Sequence, residues 1–157
     1  MPVDSEVATT ETAGWQTERL FPTLSPHQVE RLAAYGTRRA MRSGETLMEP
    51  GDPHPSCFVV VRGAVEILRA GAEDETLVQT IRPGQFSGEA NLLTGRAAFV
   101  RIRARDDGEV AVIDRDHVLR VLQLESEIGQ IVMRTFILRR AELIARGYGD
   151  AVLLGSN

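Results

Sequence analysis

The chain of 157 residues has one cysteine, so no disulfide can form within it. Cys57 stands directly before the apolar run Phe58 to Val61 and reads as a buried small hydrophobe. There is no Cys-x-x-Cys pair and no Gly-x-Gly-x-x-Gly fingerprint, so neither a dithiol redox centre nor that dinucleotide cradle lies within these residues. The three histidines, His27, His54 and His117, fall in unrelated segments with no His-x-His pair, which argues against a cupin-type metal centre. No apolar stretch approaches the ~20 residues of a membrane span, and the N-terminus lacks a basic-then-apolar signal, so the expected location is the cytoplasm. Basic residues are in the minority, 18 against 22 acidic, and the net charge of −4 argues against broad attraction to nucleic acid. What is present, 43% hydrophobic and 25% charged residues, suffices for one domain with a full core.

Residues 1–14 are rich in Thr, Ala, Glu and Ser without periodicity and read as a flexible tail; the fold, residues 15–147, begins near Trp15 or Leu20. Ser25-Pro26-His27-Gln28 is a helix start, with Ser25 as cap, Pro26 at the first position and Gln28 closing a capping box. Val29, Leu32 and Ala33 form its inward face. From Thr37 to Asp114, short β-branched and apolar runs alternate with turn residues, the pattern of an all-β sandwich or barrel. The last two runs, Ala98 to Ala104 and Val110 to Ile113, are expected to pair as a hairpin through Asp107-Gly108. Alternation puts Ala98, Val100, Ile102 and Ala104 on one face of the first run, and Arg101 and Arg103 on a solvated one. Helical periodicity then returns. Asp116 or Asp114 starts a helix carrying Val118, Leu119, Val121 and Leu122, and Ser126 caps a longer one that runs to about Arg146. In the longer helix Ile128, Ile131, Val132, Phe136, Ile137, Ala141 and Ile144 recur at helical intervals, and Arg134, Arg139, Arg140 and Arg146 are assigned to a solvated face.

The most telling stretch runs from Phe86 to Ala98, where Gly88-Glu89 and Arg96 bracket a short apolar segment. A glycine before a helical turn leaves backbone N–H groups converging on one spot that favours an anion. Arg96 supplies a forked, permanently charged donor for a phosphate, and Glu89 an acceptor for sugar hydroxyls. These residues resemble the phosphate-binding cassette of cyclic-nucleotide-binding domains. So do, in order, Gly44-Glu45, Gly51-Asp52, Phe58 to Gly63, Val65-x-Ile67, Pro83-Gly84-Gln85-Phe86 and Glu109 to Asp114, together covering roughly residues 20 to 125.

The resemblance implies an eight-stranded jelly-roll barrel, mainly β, with flanking N- and C-terminal helices. It also implies a ligand, a cyclic nucleotide, with cyclic AMP the first candidate and cyclic GMP the second, and no cofactor besides. Carried over residue by residue, Glu89 binds the ribose 2′-hydroxyl, Arg96 the cyclic phosphate, and Gly88, Ala90 and Ala97 offer backbone contacts. The chain departs from the family pattern in three places: Glu89 and Arg96 are only seven positions apart, Ser87 splits Phe86 from Gly88, and Phe99 replaces a small hydroxyl residue. The alternative reading is therefore a ligand-free docking or dimerisation module in which Arg96 pairs with Glu89 or a neighbouring acid.

The long helix is read first as packed on the barrel; the alternative is that it pairs with its copy, as helices in this position do in the regulators it resembles. Residues 148–157 break the helix and begin a run like a buried strand, read as a linker or the start of a following domain. That junction resembles the one in bacterial proteins that fuse such a domain to a thioredoxin-reductase-like flavoprotein. The expectation is a non-enzymatic regulatory sensor signalling to an attached effector, without contact to nucleic acid or membrane. A DNA-reading regulator would need a helix-turn-helix after the long helix, where this chain turns strand-like.

Overall fold

The computed structural model describes residues 19–70, 73–95, 97–98 and 100–145. The N-terminal tail and the strand-like run after residue 147 lie outside the described residues. Helix α1 (Pro26–Ala33) starts as its sequence dictates: the Ser25 hydroxyl accepts from Gln28 N at 3.1 Å, and the Gln28 carboxamide oxygen accepts from Ser25 N at 2.9 Å. Eight strands follow: β1 (Thr37–Met41), β2 (Thr46–Met48), β3 (Cys57–Arg62), β4 (Val65–Ala70), β5 (Glu75–Ile81), β6 (Phe86–Ser87), β7 (Arg101–Ala104) and β8 (Gly108–Ile113). A short helix α2 (Glu89–Thr94) interrupts them after β6, and α3 (Arg115–Leu124) and α4 (Ser126–Ala145) complete the order.

The strands form two four-stranded antiparallel sheets, ordered β1-β8-β3-β6 and β2-β7-β4-β5. This is the double-sheet jelly roll, two facing layers rather than one closed ring. Period-two alternation explains the two cores. Met41, Phe58, Val60 and Val110 of the first sheet face Val65, Ile67, Ile102 and Ala104 of the second, and fill the space between the layers. On the outer face of the first sheet, Cys57, Val59, Ala111 and Ile113 meet Val29 and Leu32 of α1, Val118 and Val121 of α3, and Ile128 and Val132 of α4.

The expected hairpin through Asp107-Gly108 is not formed. β7 pairs with β2 and β4 in one sheet, whereas β8 pairs with β1 and β3 in the other, so Asp107-Gly108 is a corner between layers. The reason lies in burial: β8 is covered on both faces, while β7 has one core face and one polar face. A strand buried on both faces belongs at the centre of the helix-covered sheet. The polar face of β7 is as expected: Arg101 bridges Glu49 and Glu75, and Arg103 meets Glu66 and Glu75.

Asp114 is the cap of α3, accepting from His117 N at 2.9 Å. Of the apolar positions named on α4, Ile128 and Val132 are buried and Phe136 is half-buried, whereas Ile137 and Ile144 are exposed. Among the described residues, no helix is long and apolar enough to cross a membrane.

Candidate functional site

The cassette is anchored at its start to β3 and at its end to the loop between β2 and β3. At its start, β6 pairs with β3, Phe58 opposite Ser87 and Val59 opposite Phe86, so the additional Ser87 is absorbed as a buried strand residue. Gly88 follows at φ +97°, and a Cβ there would stand 2.3 Å from the Ser56 carbonyl oxygen. Only glycine fits that left-handed, crowded position. At its end, Gly51 N donates to Ala98 O at 2.6 Å, and Ala98 N donates to Asp52 O at 3.1 Å. The landmark Gly51-Asp52 thus holds the cassette in place.

Glu89 is the first residue of α2, and its side chain is 1% exposed. Its countercharge comes from α4: Arg139 Nη1 lies 2.7 Å from both carboxylate oxygens. The same guanidinium donates through Nε to Leu20 O at 2.6 Å and through Nη2 to Phe86 O at 3.0 Å. It also stacks over Phe21 at 4.4 Å and near Phe86 at 5.2 Å from the ring centroids. One arginine therefore ties the N-terminal segment, the cassette and the C-terminal helix together.

This corrects the assignment of Arg139 to a solvated face, since its side chain is 12% exposed. The signal was in the periodicity: Ile128, Val132 and Thr135 are buried, and Arg139 continues their stripe at the next helical step. A charge on an apolar stripe is informative because it must be paired to be buried.

Of the other expected site residues, Gly88 is buried, Ala90 lies within α2 and Ala97 is half-buried. Gly88 and Glu89 stand together at the head of α2, and Arg96 lies outside the described residues. Next to the acid, Cys57 is fully covered, and burial first and the Glu89 charge second push its thiol far up, with Arg139 opposing. It belongs to the core beneath the helices. Two open depressions of about 310 and 290 Å³ lie beside the Asp52–Ser56 loop. The second reaches Gly95 and Arg115 at the end of α2, and neither is lined by Glu89.

Comparison with known proteins agrees with this fold. A 26% identical stretch of 116 residues relates the chain to the cAMP-dependent protein kinase regulatory subunit of Emericella nidulans, covering 74% of this chain and 27% of that protein. The cyclic AMP receptor protein of Thermus thermophilus is 27% identical over 106 residues, covering 66% of this chain and 49% of that one. The chain thus spans at most about half the length of these relatives. Among solved structures, the Thermus thermophilus catabolite activator protein superposes with a TM-score of 0.61 at 25% identity, over 87% of this chain and 61% of that one. A structure from a study of a cyclic-GMP-dependent signalling pathway in bacterial phytopathogenesis gives 0.65 at 25% identity, over 76% of this chain and 96% of that one. The model of the cyclic nucleotide-binding domain matches residues 38–125, from β1 through the cassette to the end of α3, and the chain belongs to that family.

Proposed function

We propose that the chain is a regulatory sensor that binds a cyclic purine nucleotide, cyclic AMP first, through Glu89 and Arg96. The observation that carries this reading is the buried Glu89 at the head of α2, a hydroxyl acceptor whose charge is completed by a residue of the C-terminal helix. Ligand contacts that alter the Glu89–Arg139 pair bias the position of α4, and only contacts that differ between two positions of that helix can transmit a signal. Gly88, Ala90 and Ala97 are the backbone contacts of this reading. The effector is an attached domain, and the junction after residue 147 supports a thioredoxin-reductase-like flavoprotein in that place. The test is calorimetric titration with cyclic AMP and cyclic GMP. Arg96→Ala is expected to weaken binding by roughly 1.5 to 3 kcal/mol, with Arg96→Lys recovering part and Glu89→Gln costing less. No heat and no gain in thermal stability with either nucleotide at millimolar concentration would overturn the proposal.

A second reading, a docking or dimerisation module without ligand, draws on a different observation. Met133, Ile137 and Ile144 are 38%, 58% and 46% exposed and lie along one stripe of α4 at steps of four and seven. Such a stripe suits pairing with a second copy of the helix. A sensor and a dimer are compatible, so sedimentation is measured with and without nucleotide.

A further inference from the structure

The joint between α3 and α4 is held from outside by the N-terminal helix. Glu125, the one residue between them, leaves helical geometry at φ −111° and ψ 84°, while its N–H still donates to Val121 O. Its carbonyl accepts from Gly129 N at 2.7 Å and so begins α4. Gly129 lets the two helices meet closely: a Cβ there would stand 3.2 Å from Leu122 Cα. The Glu125 side chain is only 12% exposed although it sits at a bend.

Three donors from α1 and its C-terminal end converge on that carboxylate. Arg31 donates through Nε at 2.7 Å and Nη2 at 3.0 Å, one to each oxygen, and the Tyr35 hydroxyl adds a third bond at 2.8 Å. Arg31 and Tyr35 are four apart, so one face of the chain presents both groups together. Beside them Gln28 donates to Glu127, in the first turn of α4. A forked guanidinium bond fixes orientation as well as distance, which a single-point contact does not. The opposite side of α1, Val29 and Leu32, packs into the same core as Val121 and Ile128. The joint is thus clamped between an apolar floor and a polar brace.

From Glu125 to Arg139 is 14 residues of chain, a lever of about 21 Å at the helical rise. A tilt of about 10° at the joint would carry Arg139 by roughly 4 Å, enough to break its bonds to Glu89. We infer that Glu125, braced by Arg31 and Tyr35, is a positioning residue that sets the angle of α4 and thereby seats Arg139 on Glu89, so that α1 governs the affinity of the nucleotide site. The effect on affinity rests on the nucleotide-binding reading proposed above, whereas the seating of Arg139 does not.

The test uses the 157-residue chain and the variants Glu125→Gln and Tyr35→Phe, which preserve shape, alone and combined with Arg139→Ala. Amide hydrogen exchange without ligand reads the seating, and titration with cyclic AMP and cyclic GMP reads the site. Each brace variant is expected to speed exchange across residues 134–145 while β3 and β8 keep wild-type protection. Added to Arg139→Ala, it should speed exchange there no further. Distant sites with no shared partner would instead act independently. The nucleotide that binds should be held about fivefold less tightly in either brace variant. Exchange across residues 134–145 that stays at the wild-type rate in both brace variants, or effects that simply add to that of Arg139→Ala, would overturn the inference. Titration silent in the wild-type chain would overturn the nucleotide reading alone, and exchange would still decide the brace.

Discussion

Replacing Arg139 by alanine is the sharpest perturbation the structure offers. Glu89, at a position 1% exposed, would lose the only ion-pair partner it has among the described residues. Breaking a buried ion pair from one side costs about 3 to 5 kcal/mol, because the remaining charge stays desolvated. The stacking over Phe21 and Phe86 would go as well, about 0.5 to 1 kcal/mol for such a contact, as would the bonds to Leu20 O and Phe86 O. We expect a loss of about 4 kcal/mol, a large part of the 5 to 15 kcal/mol typical of a domain. Urea unfolding followed by circular dichroism measures it, with the slope checked for two-state behaviour. Arg139→Lys should recover only part, since an ammonium cannot serve Glu89, Leu20 and Phe86 as one planar fork does. Glu89→Gln in the Arg139→Ala background should restore part of the lost stability, because the uncompensated charge is gone. A cost below about 1 kcal/mol for Arg139→Ala would refute the reasoning, since a buried unpaired carboxylate cannot be that cheap.

Three further outcomes follow from other parts of the molecule. Gly88→Ala should destabilise by at least about 2 kcal/mol, because the left-handed backbone alone costs about 1 to 2 and the new Cβ would meet the Ser56 carbonyl; a wild-type melting temperature would show the cassette start to be wrongly placed. Cys57 should resist thiol reagents in the native protein and react only as the chain unfolds, since burial raises its pKa far beyond neutral pH; rapid stoichiometric labelling without denaturant counts against it. The hydrogen bonds from Arg31 and then Tyr35 hold the Glu125 carboxyl below its usual range, so its contribution is present above the unfolded value and lost as pH falls through the lowered one. The stability difference between wild type and Glu125→Gln should therefore be flat near neutrality and shrink below about pH 4.3, and a difference that grows on acidification would contradict the assignment.

Much of this architecture was legible because local signals and burial agree. The Ser25-Pro26-His27-Gln28 start formed the expected capping box, and the alternation in Arg101 to Ala104 put the arginines outward and Ile102 and Ala104 in the core. The Asp107-Gly108 hairpin failed because a turn dipeptide reports only a change of direction. Which sheet receives the next strand is decided by how many of its faces must be covered, a non-local property of Val110 to Ile113. Arg139 was missed for a related reason: the charge count of the helix outweighed the position of one charge on its buried stripe. All eighteen cationic residues of the chain are arginines, so residue type could not separate Arg139 from the exposed arginines among the described residues. The tie from α1 to Glu125 joins residues about ninety positions apart and has no sequence signature at all.

The pairing of Glu89 also bears on the choice between a working site and an empty one. In the ligand-free alternative, Glu89 is one of the acids that can serve Arg96 as counterion. Yet the Glu89 charge is already balanced by Arg139, which approaches both of its oxygens from α4. A second guanidinium there would set two positive charges against one negative. A ribose hydroxyl would bring no charge and needs only one of the about four lone-pair sites that a carboxylate offers, of which Arg139 meets one on each oxygen. Glu89 is thus better suited to accept from a neutral sugar than to neutralise a second arginine. Under the proposed function, the anion for Arg96 is the ligand phosphate. A cyclic nucleotide, with one negative charge on its phosphate and none on its ribose, asks for a neutralised acid at the sugar and a separate cation at the phosphate.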